Sequence, residues 1–151
     1  MKNKKNFIIS YLIIFFFFNI AFSSEEINYS SNTIKVIENG KIISGEGDVQ
    51  ILIGENIFIS SEKFEYNRKT GLYKIFDNVQ FKDKINNIKA SGTEFILSTF
   101  DNKILSKTKS KIIYDEIYDI DLDNFEYDIN NQKILEIFQS DTPVVASLEK
   151  R

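Results

Sequence analysis

At 151 residues the chain has room for one modest domain. It contains neither cysteine nor histidine, which excludes a disulfide framework, thiolate chemistry and the usual general base near neutral pH. Its 19 basic residues stand against 22 acidic ones, a balance that argues against a nucleic-acid partner, since neutralising phosphates needs a basic surface.

The first 23 residues differ from the rest. Lys2, Lys4 and Lys5 make a basic start, Phe7 to Phe22 is an apolar run, and Ala21-Phe22-Ser23 offers small residues for a signal peptidase. This predicts a secretory signal peptide over 1–23, cleaved after Ser23. A retained anchor is the alternative, but the run is short for a span of about 20 residues. No cysteine at the cleavage point marks a lipoprotein. Removing the three lysines leaves 16 basic against 22 acidic residues, a net charge near −6.

Residues 24–32 are polar and read as a flexible leader. From Thr33 the apolar period is two, as strands require. Ile34 and Val36 alternate up to Asn39-Gly40, a strong hairpin signal. Val49, Ile51 and Ile53 lead to a turn at Gly54-Glu55-Asn56, then Ile57, Ile59, Phe64 and Tyr66 to a turn over Arg68 to Gly71. Leu72 to Phe76 is a further strand; Val79 and Phe81 run on to Asn86-Asn87, and Ile88, Ala90, Phe95 and Leu97 to Asp101-Asn102. Ile112, Tyr118, Ile120, Leu122, Phe125 and Tyr127 precede Asn130-Asn131, and Ile134 to Phe138 closes the series. No window makes a convincing amphipathic helix. The expectation is about ten strands, nearly all antiparallel, with a tail over 140–151.

Two patterns go beyond alternation. Ile34-x-Val36, Phe64-x-Tyr66, Phe95-x-Leu97 and Phe125-x-Tyr127 recur about thirty residues apart, and Gly47-Asp48-Val49-Gln50-Ile51 matches Asp77-Asn78-Val79-Gln80-Phe81. A repeat of this kind stacks units that cannot bury an apolar face alone. The apolar phase also slips by one at Ser60-Lys63, at Ser91-Glu94 and near Asp123-Asn124. A slip sends side chains to the wrong face unless the strand bends or bulges there. Long strands that each fold over a corner, with one apolar interior between two sheet halves, satisfy all three slips.

Ile57, Ile59, Ser60, Ser61, Lys63, Tyr66 and Gly71, followed by Asp77-Asn78-Val79 and Phe81, together with Gly47-Asp48-Val49 one unit earlier, resemble the OstA-like domain of lipopolysaccharide-transport proteins (LptA, LptC and the N-terminal part of LptD). The likeness spans Ile34 to Phe138 and implies an all-β, open, twisted β-jelly roll over residues 33–139. It further implies a periplasmic, non-catalytic module that carries or bridges lipopolysaccharide between the membranes. The partners implied are the acyl chains of that lipid and further OstA-like modules joined by edge-strand addition. A chain that ends at Arg151 fits an LptA-like role; a piece of a longer protein fits the periplasmic domain of an LptD-like one. A structural β-repeat that takes up no lipid is the alternative from outside the family.

The candidate interior, lipid-facing residues are Ile34, Val36, Val49, Ile51, Ile57, Ile59, Phe64, Tyr66, Val79, Phe81, Ile88, Phe95, Leu97, Ile120, Leu122, Phe125 and Tyr127. In a β-protein such residues are first of all core, and the sequence does not divide core from groove. No side-chain set has the partners a hydrolase needs, and no cofactor is implied. Asp119-x-Asp121-x-Asp123 opens like a calcium loop, but Asn124 and Asn130 stand where glycine and glutamate are required. A hairpin centred near Glu116 accounts for these carboxylates better. It sets Lys111 opposite Asp121, Lys109 opposite Asp123 and Ile112 opposite Ile120.

Overall fold

The computed structural model describes residues 26–135 and the backbone of 149–150. The expected signal peptide over 1–23, the end of the strand expected at Ile134 to Phe138, and most of the expected tail lie outside the described residues. Within them are β1 (Ile27–Ser30), β2 (Thr33–Ile37), β3 (Ile42–Ile53), β4 (Ile57–Asn67), β5 (Leu72–Asp83) and β6 (Ile88–Ser98). There follow β7 (Lys103–Ser106), β8 (Ser110–Tyr114), β9 (Tyr118–Leu122), β10 (Phe125–Asp128), β11 (Lys133–Leu135) and β12 (Glu149–Lys150). All pair antiparallel in one sheet.

That sheet is folded over. The four long strands β3 to β6 each cross a corner, so one end of each belongs to a first half-sheet and the other end to a second. β1, β8, β9 and β12 complete the first half, and β2, β7, β10 and β11 the second. The other strands break at the same line: β1 gives way to β2, β7 to β8 and β9 to β10. The register shifts at Glu46/Val49, Ser60/Lys63 and Phe76/Val79.

Two devices make the corner. In β4 and β6 the inward phase slips, from Ile57, Ile59 and Ser61 to Phe64, and from Ile88 and Ala90 to Phe95. In β3 and β5 the same line carries an extra residue built from two consecutive left-handed residues, Gly47 and Asp48 (φ 79° and 47°) and Asp77 and Asn78 (φ 60° and 56°). Short polar side chains tolerate that region because they bond locally. Asn32 Nδ2 donates to Asp48 Oδ2 at 2.8 Å, and Lys63 Nζ lies 3.3 Å from Asp77 Oδ2.

The repeat shows in the turns as well. Lys84 N donates to Asn56 O and Asp115 N to Asn87 O along one edge of the stack; Arg68 N donates to Lys41 O, Thr99 N to Gly71 O and Ile129 N to Asn102 O along the other. Equivalent turns thus sit on one another. Several are closed by their first residue, whose side chain accepts from amides two or three positions on: Asn67 Oδ1 from Lys69 and Thr70, Asp83 Oδ1 from Ile85 and Asn86, Asp128 Oδ1 from Asn131.

The expected leader over 24–32 is corrected. Ile27–Ser30 is β1, paired with β3 from Ile27↔Ile53 to Ser30↔Gln50. Ile27 and Tyr29 turn a half-buried face to the core, which a polar sequence context hid. With β12 at the other edge, the sheet extends past both ends of the 33–139 span expected for it.

Candidate functional site

The interior between the half-sheets is where the candidate residues gather. Val49, Ile51, Ile57, Ile59, Phe64, Val79, Phe81, Ile88, Phe95, Leu97, Leu122, Phe125 and Tyr127 are all buried, none more than 6% exposed. Ile43, Ile53, Tyr73, Ile75, Ala90, Ile104, Ile112 and Ile129, outside the candidate set, share the same core. Tyr66 and Ile120 are half-buried at its margin. Ile34 and Val36 are not interior. They sit opposite Gly45 and Ile43 on the inward face, yet remain 49% and 61% exposed. Alternation placed them on the right face, but β2 is at the rim and, among the described residues, no strand of the first half covers it.

The interior is packed rather than hollow. The Phe64 ring lies over Gly45, where any Cβ would run into it, and the Phe95 ring lies over Gly92. Tyr29 of β1 meets Phe64 and Tyr73 of the second half with ring centroids 5.2 and 6.1 Å apart, and Tyr66 stacks on Tyr73 at 4.1 Å. Burial pushes the Tyr73 phenol well above its ordinary value, and the neighbouring Tyr66 and Tyr29 add to it. Phe95 meets Phe125 edge-on at 5.2 Å.

A second contact between the halves is polar. Tyr127 Oη donates to Asp83 Oδ2 at 2.6 Å, Asn86 Nδ2 donates to the same oxygen at 2.6 Å, and Asn86 Nδ2 also donates to Gln132 Oε1 at 3.2 Å. Asp83 is fully buried, and among the described buried residues it is the one with a charged side chain. Burial alone would push its carboxyl up. Hydrogen bonds from the Asn86 side chain, the Tyr127 hydroxyl and the Asn86 and Ile85 amides outweigh that and hold it below its ordinary value. Phe81, two residues before it, packs on the Tyr127 ring at 4.9 Å. The sequence reading passed over Asp83. Its signal was a carboxylate at the inward phase set by Val79 and Phe81.

Among the described residues no group of three or more carboxylates could hold a metal ion. Lys111 faces Asp121 and Ile112 faces Ile120, as the hairpin near Glu116 requires. The ion pairs themselves run diagonally, Lys111 to Asp119 at 3.1 Å and Lys109 to Asp121 at 3.8 Å, rather than from Lys109 to Asp123. A depression of about 600 Å³ lies on the first half, with Asn28, Gln50, Leu52, Phe58, Lys82 and Lys89 of the outward face in its lining. Lys84 Nζ sits 4.0 Å from the Phe58 ring centroid beside it. Ile51, Ile59 and Phe81 of the candidate set also line it. Among the described residues no helix is long and apolar enough to cross a membrane.

No protein-family model matches the chain, and no curated protein matches its sequence. Among solved structures it is similar to LptH from Pseudomonas aeruginosa, described as the LptA-homologous periplasmic component of a lipopolysaccharide transport device. The TM-score is 0.64 at 12% identity, covering 84% of this chain and 94% of that one. The chain therefore has an all-β, open β-jelly-roll fold of the LptA kind.

Proposed function

We propose that the chain is a periplasmic lipopolysaccharide-transport module that shelters acyl chains between its two half-sheets and leaves the sugar–phosphate head in water. No bond is made or broken. The observation that carries this reading is the folded sheet itself, whose inward faces supply a continuous apolar surface in the same fold as a periplasmic transport component. Each lipid methylene moved from water to such a surface gains about 0.8 kcal/mol. Ile34 and Val36, inward by register and exposed at the rim, offer apolar surface to a further module. Among the described residues β2 is paired on one side only, by β3, and offers backbone groups for strand addition by another OstA-like module.

The competing reading is a structural β-repeat without lipid. What favours it is the closed core, since side chains already fill the space that acyl chains would take. The two separate on one experiment. Mature protein is purified from the periplasm of a lipopolysaccharide-producing host, and bound lipid is extracted and identified by mass spectrometry. Stoichiometric lipid A supports carriage; lipid-free protein from such a host supports the structural repeat.

A further inference from the structure

We infer that the contact joining Asp83 and Asn86 to Tyr127 and Gln132 is the seam along which the half-sheets part to admit an acyl chain; this rests on the lipid-carrying reading above.

Its position comes first. β5 leaves the corner at Asp77-Asn78, and Asp83 is its last residue, with Asn86 in the turn beyond. β10 leaves the corner after Leu122, and Gln132 lies in the turn that follows it. The four residues therefore meet on the side of the wedge away from the fold line, where two sheets hinged at a corner must separate if anything is to enter between them. Phe81 and the Tyr127 ring lie immediately inside, so a chain passing the seam meets apolar surface at once.

The chemistry is divided between the two carboxylate oxygens. Oδ1 closes the local turn through the Ile85 and Asn86 amides, at 2.9 and 3.3 Å. Asn67 closes the equivalent turn with an amide oxygen, so a turn of this kind needs neither a charge nor a cross-sheet partner. Oδ2 accepts from Asn86 Nδ2 within the turn and, in addition, from Tyr127 Oη across the halves, both at 2.6 Å. Asp128 Oδ2 accepts from Asn131 Nδ2 in the same local way, at 2.9 Å, in an exposed turn. The bond across the halves is thus additional to what the turn requires. It is also of the kind that separates readily. Groups that hydrogen-bond to each other when closed hydrogen-bond to water when open, so little net free energy holds them together, whereas parted apolar surfaces stay unsatisfied.

The absence of cysteine from the sequence makes the test clean. In the whole mature protein, Asn86→Cys and Gln132→Cys are bridged across the seam by the reducible bis-disulfide reagent 1,2-ethanediyl bismethanethiosulfonate, whose spacer fills the gap left by side chains that meet tip to tip at 3.2 Å. Uptake of the apolar fluorophore N-phenylnaphthylamine is then timed before and after reduction. The seam predicts a rate at least tenfold lower when bridged, restored by reductant, and unchanged by a bridge within the first half made by Lys111→Cys with Asp121→Cys. Asp83→Asn, which keeps the turn as Asn67 does, speeds uptake severalfold. Equal rates in the bridged and reduced protein overturn the seam and leave carriage standing, as does a control bridge that blocks uptake equally. Unchanged uptake in Asp83→Asn overturns it too. No uptake by the unmodified protein sinks the carriage reading, and the seam with it.

Discussion

The two half-sheets touch in two chemically different ways. Near the fold line Tyr29 packs on Phe64, ring against ring. At the far side a buried carboxylate accepts from a phenol and an amide. The first contact gains by excluding water, adding about 0.5–1.5 kcal/mol per ring pair to the area term. The second replaces hydration with equivalent bonds and gains little net. One line of contact fixes the angle of the wedge, and the other lets its mouth be opened.

The difference can be broken at several points. Phe64→Ala empties the best-packed position on the fold-line side and is expected to lower stability by about 3–5 kcal/mol, read from urea unfolding at neutral pH. A loss under about 1 kcal/mol would mean that this side is not the structural one. Tyr127→Phe removes one donor from a buried carboxylate and is expected to lose about 1–3 kcal/mol. The double change Asp83→Asn with Tyr127→Phe removes the cross-sheet pair while an amide oxygen keeps the turn closed, and should be no less stable than Tyr127→Phe alone. A double variant weaker than Tyr127→Phe alone would show that the polar pair contributes net stability after all.

Acid sharpens the comparison. The folded Asp83 carboxyl is held below its ordinary value. Its contribution is therefore fully present above the unfolded carboxylate value of about 4 and disappears as pH falls through the lower folded value. Tyr73, in the aromatic cluster, is shifted upward and away from that window. Asp83→Asn should flatten the acid limb of the stability profile, leaving the smaller slope from Glu116 and Asp128, whose carboxyls are also lowered, by Lys89 and by Asn131 respectively. An unchanged acid limb in the variant would contradict the assignment. The smallest effect belongs to the outer face: Lys111→Ala, which removes the exposed pair with Asp119, should change stability by no more than about 0.5 kcal/mol.

Much of this fold could be read from the chain. The slips at Ser60-Lys63 and Ser91-Glu94 mark real corners because β4 and β6 cross the fold line with too few residues to keep phase. The corners of β3 and β5 left no such mark. Their extra left-handed residue restores the odd phase, so Ile43 and Val49, or Ile75 and Val79, look like one uninterrupted strand. The repeated Gly47-Asp48 and Asp77-Asn78 were visible as a motif, but their backbone role was not. Alternation likewise reports which face a side chain takes, not whether anything stands opposite. That is why Ile34 and Val36 read as interior and prove exposed. Asp83 was missed because a charge at an inward position is informative only once its partner, forty-four positions away in sequence, is known to lie beside it.

The central claim is that lipid lies between the halves and not on the outward depression. Photo-crosslinking tests it most directly, with p-benzoylphenylalanine placed at Phe95 on the inward face, outside the lining of the depression, or at Leu52 on the outward one, in protein expressed in a lipopolysaccharide-producing host. The account predicts lipopolysaccharide adducts at Phe95 and none at Leu52; adducts at Leu52 alone would contradict it.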